Sequence, residues 1–232
     1  MENTVPYKKG NRNHRRGVIG IESAIVLIAF VIVAAALSFV VLNMGFSTTQ
    51  KAKTTIGQGL DTSSSALEVG GTVSGHLNGT AAALDVITIP LKVASGSTSV
   101  DLQKNLTSVK YFTTKVNYDN IYKGTIQANT YSNIKDALDG AVTANLINVS
   151  PLASSTPGNP TNTTAFVYWT VNNNQNTVLD HTETAVLAIV FRAADRPAQL
   201  DQITAEVAPS VGPPMTVERT LPTLTNTYQD LT

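Results

Sequence analysis

One stretch near the amino terminus decides the fold: residues 15–53 read RRGVIGIESAIVLIAFVIVAAALSFVVLNMGFSTTQKAK. Within it, residues 24–42 are apolar except for Ser38. This run is about as long as the roughly 20 residues that an α-helix needs to span a bilayer. Residues 1–17 carry five basic residues against one acid, while the whole chain has no net charge. A basic head before an apolar run is typical of a targeting segment.

Two familiar interpretations account for part of this pattern. A secretory signal has an apolar region of about 7–15 residues and then a cleavage site of small residues. Ala34 and Ala36 provide such a pair, but the apolar run continues beyond them. A permanent membrane anchor would keep the basic residues in the cytoplasm and place the carboxyl-terminal body outside the cell.

A third interpretation places cleavage between Gly17 and Val18, directly after Arg15 and Arg16, so that the mature chain begins with the hydrophobic helix. Glu22 supports it because no other charge occurs from there to residue 50. A carboxylate in an apolar setting is costly unless it is paired. The dipole of a first helical turn would also favour an acid at this position, and the residues alone leave both explanations open.

The helical pattern continues beyond the apolar run, and the sequence predicts a helix over residues 18–69, hydrophobic at first and then amphipathic. Phe46, Ile56, Leu60 and Leu67 lie on one stripe of a 3.6-residue period. A helix that is apolar on every side needs lipid or many copies of itself. The residues expected in a core of packed helices are Ile21, Ile25, Leu27, Ile28, Phe30, Ile32, Leu37, Phe39 and Leu42.

After a predicted linker at residues 70–80, residues 81–232 are predicted to form an antiparallel β-sandwich, which makes the fold class α+β. Short β-branched and aromatic runs alternate there with turn residues. Pro90 within the first run indicates an edge strand or a bulge. Strands are predicted at 84–93, 108–118, 125–130, 141–149, 165–171, 184–192, 202–207 and 215–220, and a short helical turn at 132–138.

The sequence predicts no catalytic, cofactor or metal site. Its lack of cysteine excludes disulfides and thiolate chemistry. His14, His76 and His181 are scattered and are expected at the surface. Asp180, His181 and Glu183 are clustered, and we interpret them as a turn before a strand. Catalytic motifs are lacking, and no basic stretch interleaved with aromatic residues indicates nucleic-acid binding.

Four N-glycosylation sequons lie in the part of the chain that is expected outside the cell. They are centred on Asn78, Asn105, Asn148 and Asn162. Unmodified loop asparagines are the alternative interpretation.

Residues 15–53 resemble the amino terminus of archaellins, the archaeal flagellins, and residues 203–222 (ITAEVAPSVGPPMTVERTLP) resemble their closing strands. The basic residues followed by Gly17 are similar to the class III signal peptide of archaellins and type IV pilins. The resemblance implies an immunoglobulin-like β domain and an N-glycosylated swimming filament. It implies cleavage by a prepilin-type signal peptidase and handling by a secretion ATPase and an assembly platform. It also implies that Glu22, fifth after the cleavage point, neutralises a neighbouring subunit's new amino terminus.

The sequence therefore predicts a structural protein without enzymatic activity or cofactor. We expect a self-polymerising subunit of an extracellular archaeal flagellum filament, whose precursor is transiently inserted in the membrane. An adhesive archaeal type IV pilin and a membrane-anchored surface binding module are the alternatives.

Overall fold

The computed structural model describes residues 14–78, 82–153 and 157–231. They divide into two compact units, one up to Gly57 and one from Gln58 onward. The first unit is formed by most of the helix α1, His14–Ser64. The strands of the second unit are β1 Leu67–Val69, β2 Ser74–Asn78, β3 Ala83–Val93, β4 Val100–Asp101, β5 Thr107–Thr113, β6 Asn117–Tyr118, β7 Tyr122–Thr130, β8 Thr164–Val171, β9 Val178–Leu179, β10 Thr184–Val190, β11 Gln202–Pro209, β12 Met215–Thr220 and β13 Tyr228–Asp230, with a helix α2 at Ile134–Thr143 and a 3₁₀ turn at Ala193–Asp195.

Helix α1 is about 75 Å long at 1.5 Å per residue. No proline interrupts it, since the chain has none between Pro6 and Pro90. It ends at Ser64 within a run of serines, whose hydroxyls compete for backbone hydrogen bonds. The predicted helix end at residue 69 is therefore wrong: Leu67 begins β1, which pairs with the end of β3.

Part of the predicted linker at residues 70–80 is a strand, because β2 occupies residues 74–78. Gly70 and Gly71 make only a short connection, and β2 then pairs with β3 on one side and β13 on the other. The sequence pattern of a strand is weak in β2 because close packing requires a glycine at residue 75. A Cβ there would approach the Leu84 Cδ1 atom to 2.7 Å.

The larger sheet has the strand order β13-β2-β3-β10-β8-β7, with β1 also paired to β3. The smaller sheet has the order β12-β11-β5-β6, and β4 pairs with β9. All pairs are antiparallel except β7 with β8, which are parallel. A long amino-terminal helix followed by a β-sandwich-like body confirms the predicted fold class, although the single parallel pair departs from a fully antiparallel sandwich.

Two apolar clusters cover the two faces of the larger sheet. Trp169, Leu187 and Ile89 point into the core shared with the smaller sheet, whereas Phe166 and Val186 pack under α2 on the outer face. Strands buried on both faces are apolar along nearly their whole length, as in β10 (TAVLAIV). The smaller sheet buries one face only, so β11 alternates between buried and partly exposed residues.

Pro90 lies in a central strand, so the predicted edge strand or bulge is wrong. β10 pairs with one side of β3. On the other side β2 pairs as far as Thr88 and β1 begins at Leu91. Pro90 falls in the gap between these two short strands, and its carbonyl oxygen accepts from the Gly70 nitrogen at 2.8 Å. A residue without a backbone N–H is tolerated there.

The strand predicted at residues 141–149 is wrong, because residues 141–143 end helix α2 and residues 144–149 form turns. Helix α2 also extends beyond the helical turn predicted at 132–138. The Asn133 Oδ1 atom caps it by accepting from the Asp136 nitrogen at 2.9 Å. Ala137, Leu138 and Ala141 recur at helical spacing and are buried on the outer face of the larger sheet.

Asp195 connects the two sheets. Its carboxylate accepts from the Tyr118 hydroxyl in β6 at 2.8 Å and from the Thr163 hydroxyl, next to β8, at 2.6 Å. Arg192 donates to the other oxygen at 2.8 Å. Burial alone would raise the pKa of Asp195, but these hydrogen bonds outweigh it and hold the pKa below its ordinary value.

Candidate functional site

The candidate site is the apolar surface of α1, which no part of the described chain covers. The nine residues predicted for a core of packed helices are all exposed, from 59% at Leu42 to 73% at Phe30. Burying such side chains is worth about 1.5–3 kcal/mol each, or on the order of 14–27 kcal/mol for all nine. A monomer in water does not carry an apolar surface of this extent. The helix therefore requires lipid or protein around it.

The composition of α1 suits either environment. From Gly20 onward it is long and apolar enough to cross a membrane, with a mean hydropathy of 3.2 in its most apolar part. The Ser38 hydroxyl donates to the Ala34 carbonyl oxygen and the Thr49 hydroxyl to that of Gly45, each at 2.8 Å. These donors are satisfied within the helix, so removing them from water costs less.

The predicted amphipathic stripe is present in part. Phe46, Ile56 and Leu60 are 64–73% exposed along the second half of α1. Leu67, the fourth predicted member, lies in β1 and is buried in the sandwich core. The stripe therefore ends with the helix, and Leu67 contributes to the β unit instead.

Glu22 is exposed on α1 and lies in its third turn, because the helix begins at His14. A helix dipole acts mainly within the first turn, so it does not account for this acid in the full-length chain. Arg15, Arg16 and Gly17 belong to the first turn of the helix, and their side chains lie outside the described residues.

Three of the four sequon asparagines are exposed: Asn105, Asn148 and Asn162. The side chain of Asn78 lies outside the described residues. Asn148 and Asn162 are close together, since the Asn148 Oδ1 atom accepts from the Thr161 nitrogen at 3.1 Å and both line one surface cavity of about 230 Å³. Folding thus leaves these three asparagines accessible.

The clustered Asp180, His181 and Glu183 form a turn before β10, as predicted. Glu183 is buried, and its carboxylate accepts from the Asn173 nitrogen at 2.8 Å and from the Asp180 nitrogen at 3.3 Å. The His181 ring contacts the Ser97 carbonyl oxygen at 2.7 Å. These contacts stabilise a loop and do not form a triad.

His76 is not the surface residue that the sequence predicts, because its side chain is only 16% exposed. Its ring packs edge-on against Tyr228 and lies 3.8 Å from Asp85. His14 lies outside the described side chains. Among the described residues, no group of three or more histidines and acids could hold a metal ion.

Sequence reasoning did not identify Leu200, which is 75% exposed on the β unit. The signal available was an apolar residue within the polar turn RPAQLD.

A β-sandwich-like body that follows an uncovered apolar helix defines a class of protein: subunits held in a membrane or a polymer by their amino-terminal helix. Residues 17–219 match the archaeal-type flagellin family. "Probable flagellin 1" of Aeropyrum pernix is 38% identical over 212 residues, which cover 90% of this chain and 93% of that protein. The chain therefore belongs to the archaeal-type flagellin family, a family of structural subunits and not of enzymes.

Two solved structures share the fold. The archaeal flagellum of Methanospirillum hungatei strain JF1 is 21% identical and aligns over 92% of this chain and 99% of that one, with a TM-score of 0.60. The crystal structure of archaeal flagellin FlaB1 from Methanocaldococcus jannaschii is 18% identical and aligns over 72% and 96%, with a TM-score of 0.56. The family match and the Aeropyrum pernix relative confirm, at the level of the family, the resemblance seen in residues 15–53 and 203–222.

Proposed function

We propose that this chain is a structural subunit of an archaeal flagellum filament and polymerises through α1 for swimming motility. The observation that carries the proposal is the uncovered apolar surface of α1 in a member of this family. In a bundle of identical helices, each copy covers its neighbours and removes that surface from water. Ala34, Ala35 and Ala36 permit close approach of backbones at mid-helix.

Maturation by a prepilin-type signal peptidase between Gly17 and Val18 fits this role. The family match begins at Gly17, which leaves the basic leader outside it. Before cleavage, Arg15 and Arg16 would hold the amino-terminal end of the helix at the cytoplasmic face. Cleavage removes these cations, which a packed apolar bundle would accommodate only at high cost.

Glu22 then pairs with the new amino terminus of a neighbouring subunit. A carboxylate in an apolar bundle needs a partner. The amine created at Val18 is a suitable charge, because it appears only after cleavage. Pairing would thus couple maturation to assembly.

The remaining steps follow from the same surface. The precursor waits in the membrane through α1, and an assembly platform and a secretion ATPase transfer it into an extracellular filament. The β unit forms the outer part, where Asn105, Asn148 and Asn162 are accessible for N-glycosylation. Sugars there would help to solvate a chain with only 14% charged residues.

Amino-terminal sequencing of purified surface filaments tests the proposal, and we expect a start at Val18. Gly17→Phe is expected to leave uncleaved precursor in the membrane and no filaments. The matched control Gly10→Phe places the same side chain in the leader away from the cleavage point and should be processed normally. Filaments that begin at Met1, or normal filaments from the Gly17 variant, would reject the maturation step.

A further inference from the structure

Leu200 combines high exposure with an unfavourable backbone conformation. It is 75% exposed, more than any other large apolar side chain among the described residues. Its φ is +66°, a left-handed conformation that costs a residue with a Cβ about 1–2 kcal/mol. Glycine or asparagine is usual where a turn needs this conformation. The chain therefore presents a leucine where a smaller residue would be more stable.

The turn that carries Leu200 is held firmly. The Asp201 nitrogen donates to the Ala198 carbonyl oxygen at 3.2 Å and the Leu200 nitrogen to that of Leu221 at 2.9 Å. Lys115 and the Ala198 nitrogen both donate to the Asp201 carboxylate at 2.9 Å. The side chain of Leu200 thus projects from a fixed point beside the start of β11.

A pocket of about 290 Å³ lies beyond the opposite end of β11. Val100, Pro209 and Val211 contribute its apolar wall. The carboxylate at its edge, Asp101, already accepts from the Gln103 nitrogen at 2.9 Å and the Thr177 hydroxyl at 2.8 Å. The pocket is larger than a leucine side chain, and its carboxylate needs no charged occupant.

The wall of this pocket is also fixed. Gly212 has a φ of +104°, and a Cβ there would lie 2.1 Å from the Ser65 carbonyl oxygen. The turn after β11 therefore packs directly on the segment that follows α1, whose last residue is Ser64.

We propose that Leu200 of one subunit inserts into the Val100–Pro209–Val211 pocket of a second copy of this chain, in a contact between neighbouring β units of the filament. The inference rests on the proposed function. Within one subunit the two features are separated by the eight residues of β11, roughly 26 Å, so a subunit cannot fill its own pocket. A contact between different patches on identical subunits is open at both ends and propagates along a filament.

Cysteine cross-linking in assembled filaments tests this contact directly, because the chain has no cysteine of its own. In the double variant Leu200→Cys with Val211→Cys, oxidation should give a ladder of dimers, trimers and longer chains on a non-reducing gel. A disulfide requires Cα atoms within about 7 Å, so a bond within one subunit is excluded. Leu200→Cys with Val171→Cys is the matched control, since Val171 and Val211 are both 44% exposed, and should give no ladder.

If the oxidised filaments of the double variant give only the monomer band on the non-reducing gel, the proposed contact is overturned. Leu200→Gly provides a second measurement, because glycine adopts the turn without strain and removes only the side chain. Its filaments should release about tenfold more free subunit at a fixed temperature, while the β unit unfolds no earlier. Unchanged release would also refute the contact. If the unaltered chain forms no filaments, the proposed function itself fails.

Discussion

Phe39→Ala is a direct test of the energetics of α1. Phe39 is 67% exposed in the single chain. An aromatic side chain offers about 150–250 Å² for burial, so roughly 130 Å² remains to be covered by neighbours. At about 25 cal/mol per Å² this area is worth about 3 kcal/mol, and because alanine retains the Cβ atom, the truncation should cost about 2–3 kcal/mol per subunit in the filament. That corresponds to roughly 30- to 150-fold weaker subunit association.

The assay is stepwise heating of purified filaments, with sedimentation to measure the released subunit. Phe39→Ala filaments should dissociate at a clearly lower temperature than unaltered filaments, and Phe39→Leu should lie between them. The melting temperature of the β unit, measured by circular dichroism, should not change, because the side chain is exposed in the single chain. If the alanine filaments dissociate like the unaltered ones, the surface of α1 is not buried in the assembly.

Three further predictions concern single groups. Glu22→Gln should retain cleavage after Gly17 but slow filament assembly, whereas equal assembly rates would leave no role for its charge. Asp195→Asn should lower the melting temperature at neutral pH. It should also reduce the decrease in melting temperature that follows when the pH is lowered. Because the pKa of Asp195 is lowered in the folded chain, the carboxylate stabilises the fold above the ordinary aspartate pKa and loses this effect as the pH falls through its folded pKa; an unchanged acid profile would refute it. Asn133→Ala should destabilise the β unit by about 1 kcal/mol through loss of the α2 cap, measured by urea unfolding, with Asn133→Ser as the control that keeps a capping oxygen without adding a charge beside Asp136.

The features predicted correctly from the sequence have local signals. The long apolar run 24–42 fixes a helix without reference to any other part of the chain. Strands β8, β10 and β12 were recognisable because β-branched and aromatic residues cluster between turns. The exposure of the predicted apolar residues of α1 follows from the same pattern, since a helix apolar on every side has no single face to bury.

The features that the sequence could not supply depend on contacts distant along the chain. β2 contains Gly75 and His76 and has little strand propensity, yet β3 and β13 pair with both of its edges. Helix α2 lies in a segment with β-branched residues, and its place is decided by the apolar outer face of the larger sheet. The left-handed conformation of Leu200 belongs to a turn held by the Asp201–Ala198 and Leu200–Leu221 backbone hydrogen bonds, and residue composition does not indicate it.

The apolar side chains of α1 do not by themselves determine whether the subunit stays in the membrane or enters a filament. Hydrocarbon and neighbouring helices are similar surroundings for leucine, isoleucine and phenylalanine, so the hydrophobic effect contributes little to the exchange. The free-energy difference between the membrane and the filament must therefore come from packing between helices and from whether the Glu22 carboxylate has a charged partner. A lone carboxylate in lipid is expensive, whereas in the proposed filament it meets the amine of Val18 from another subunit. We infer that Glu22 gives assembly its direction, and that cleavage must come first because the amine does not exist before it.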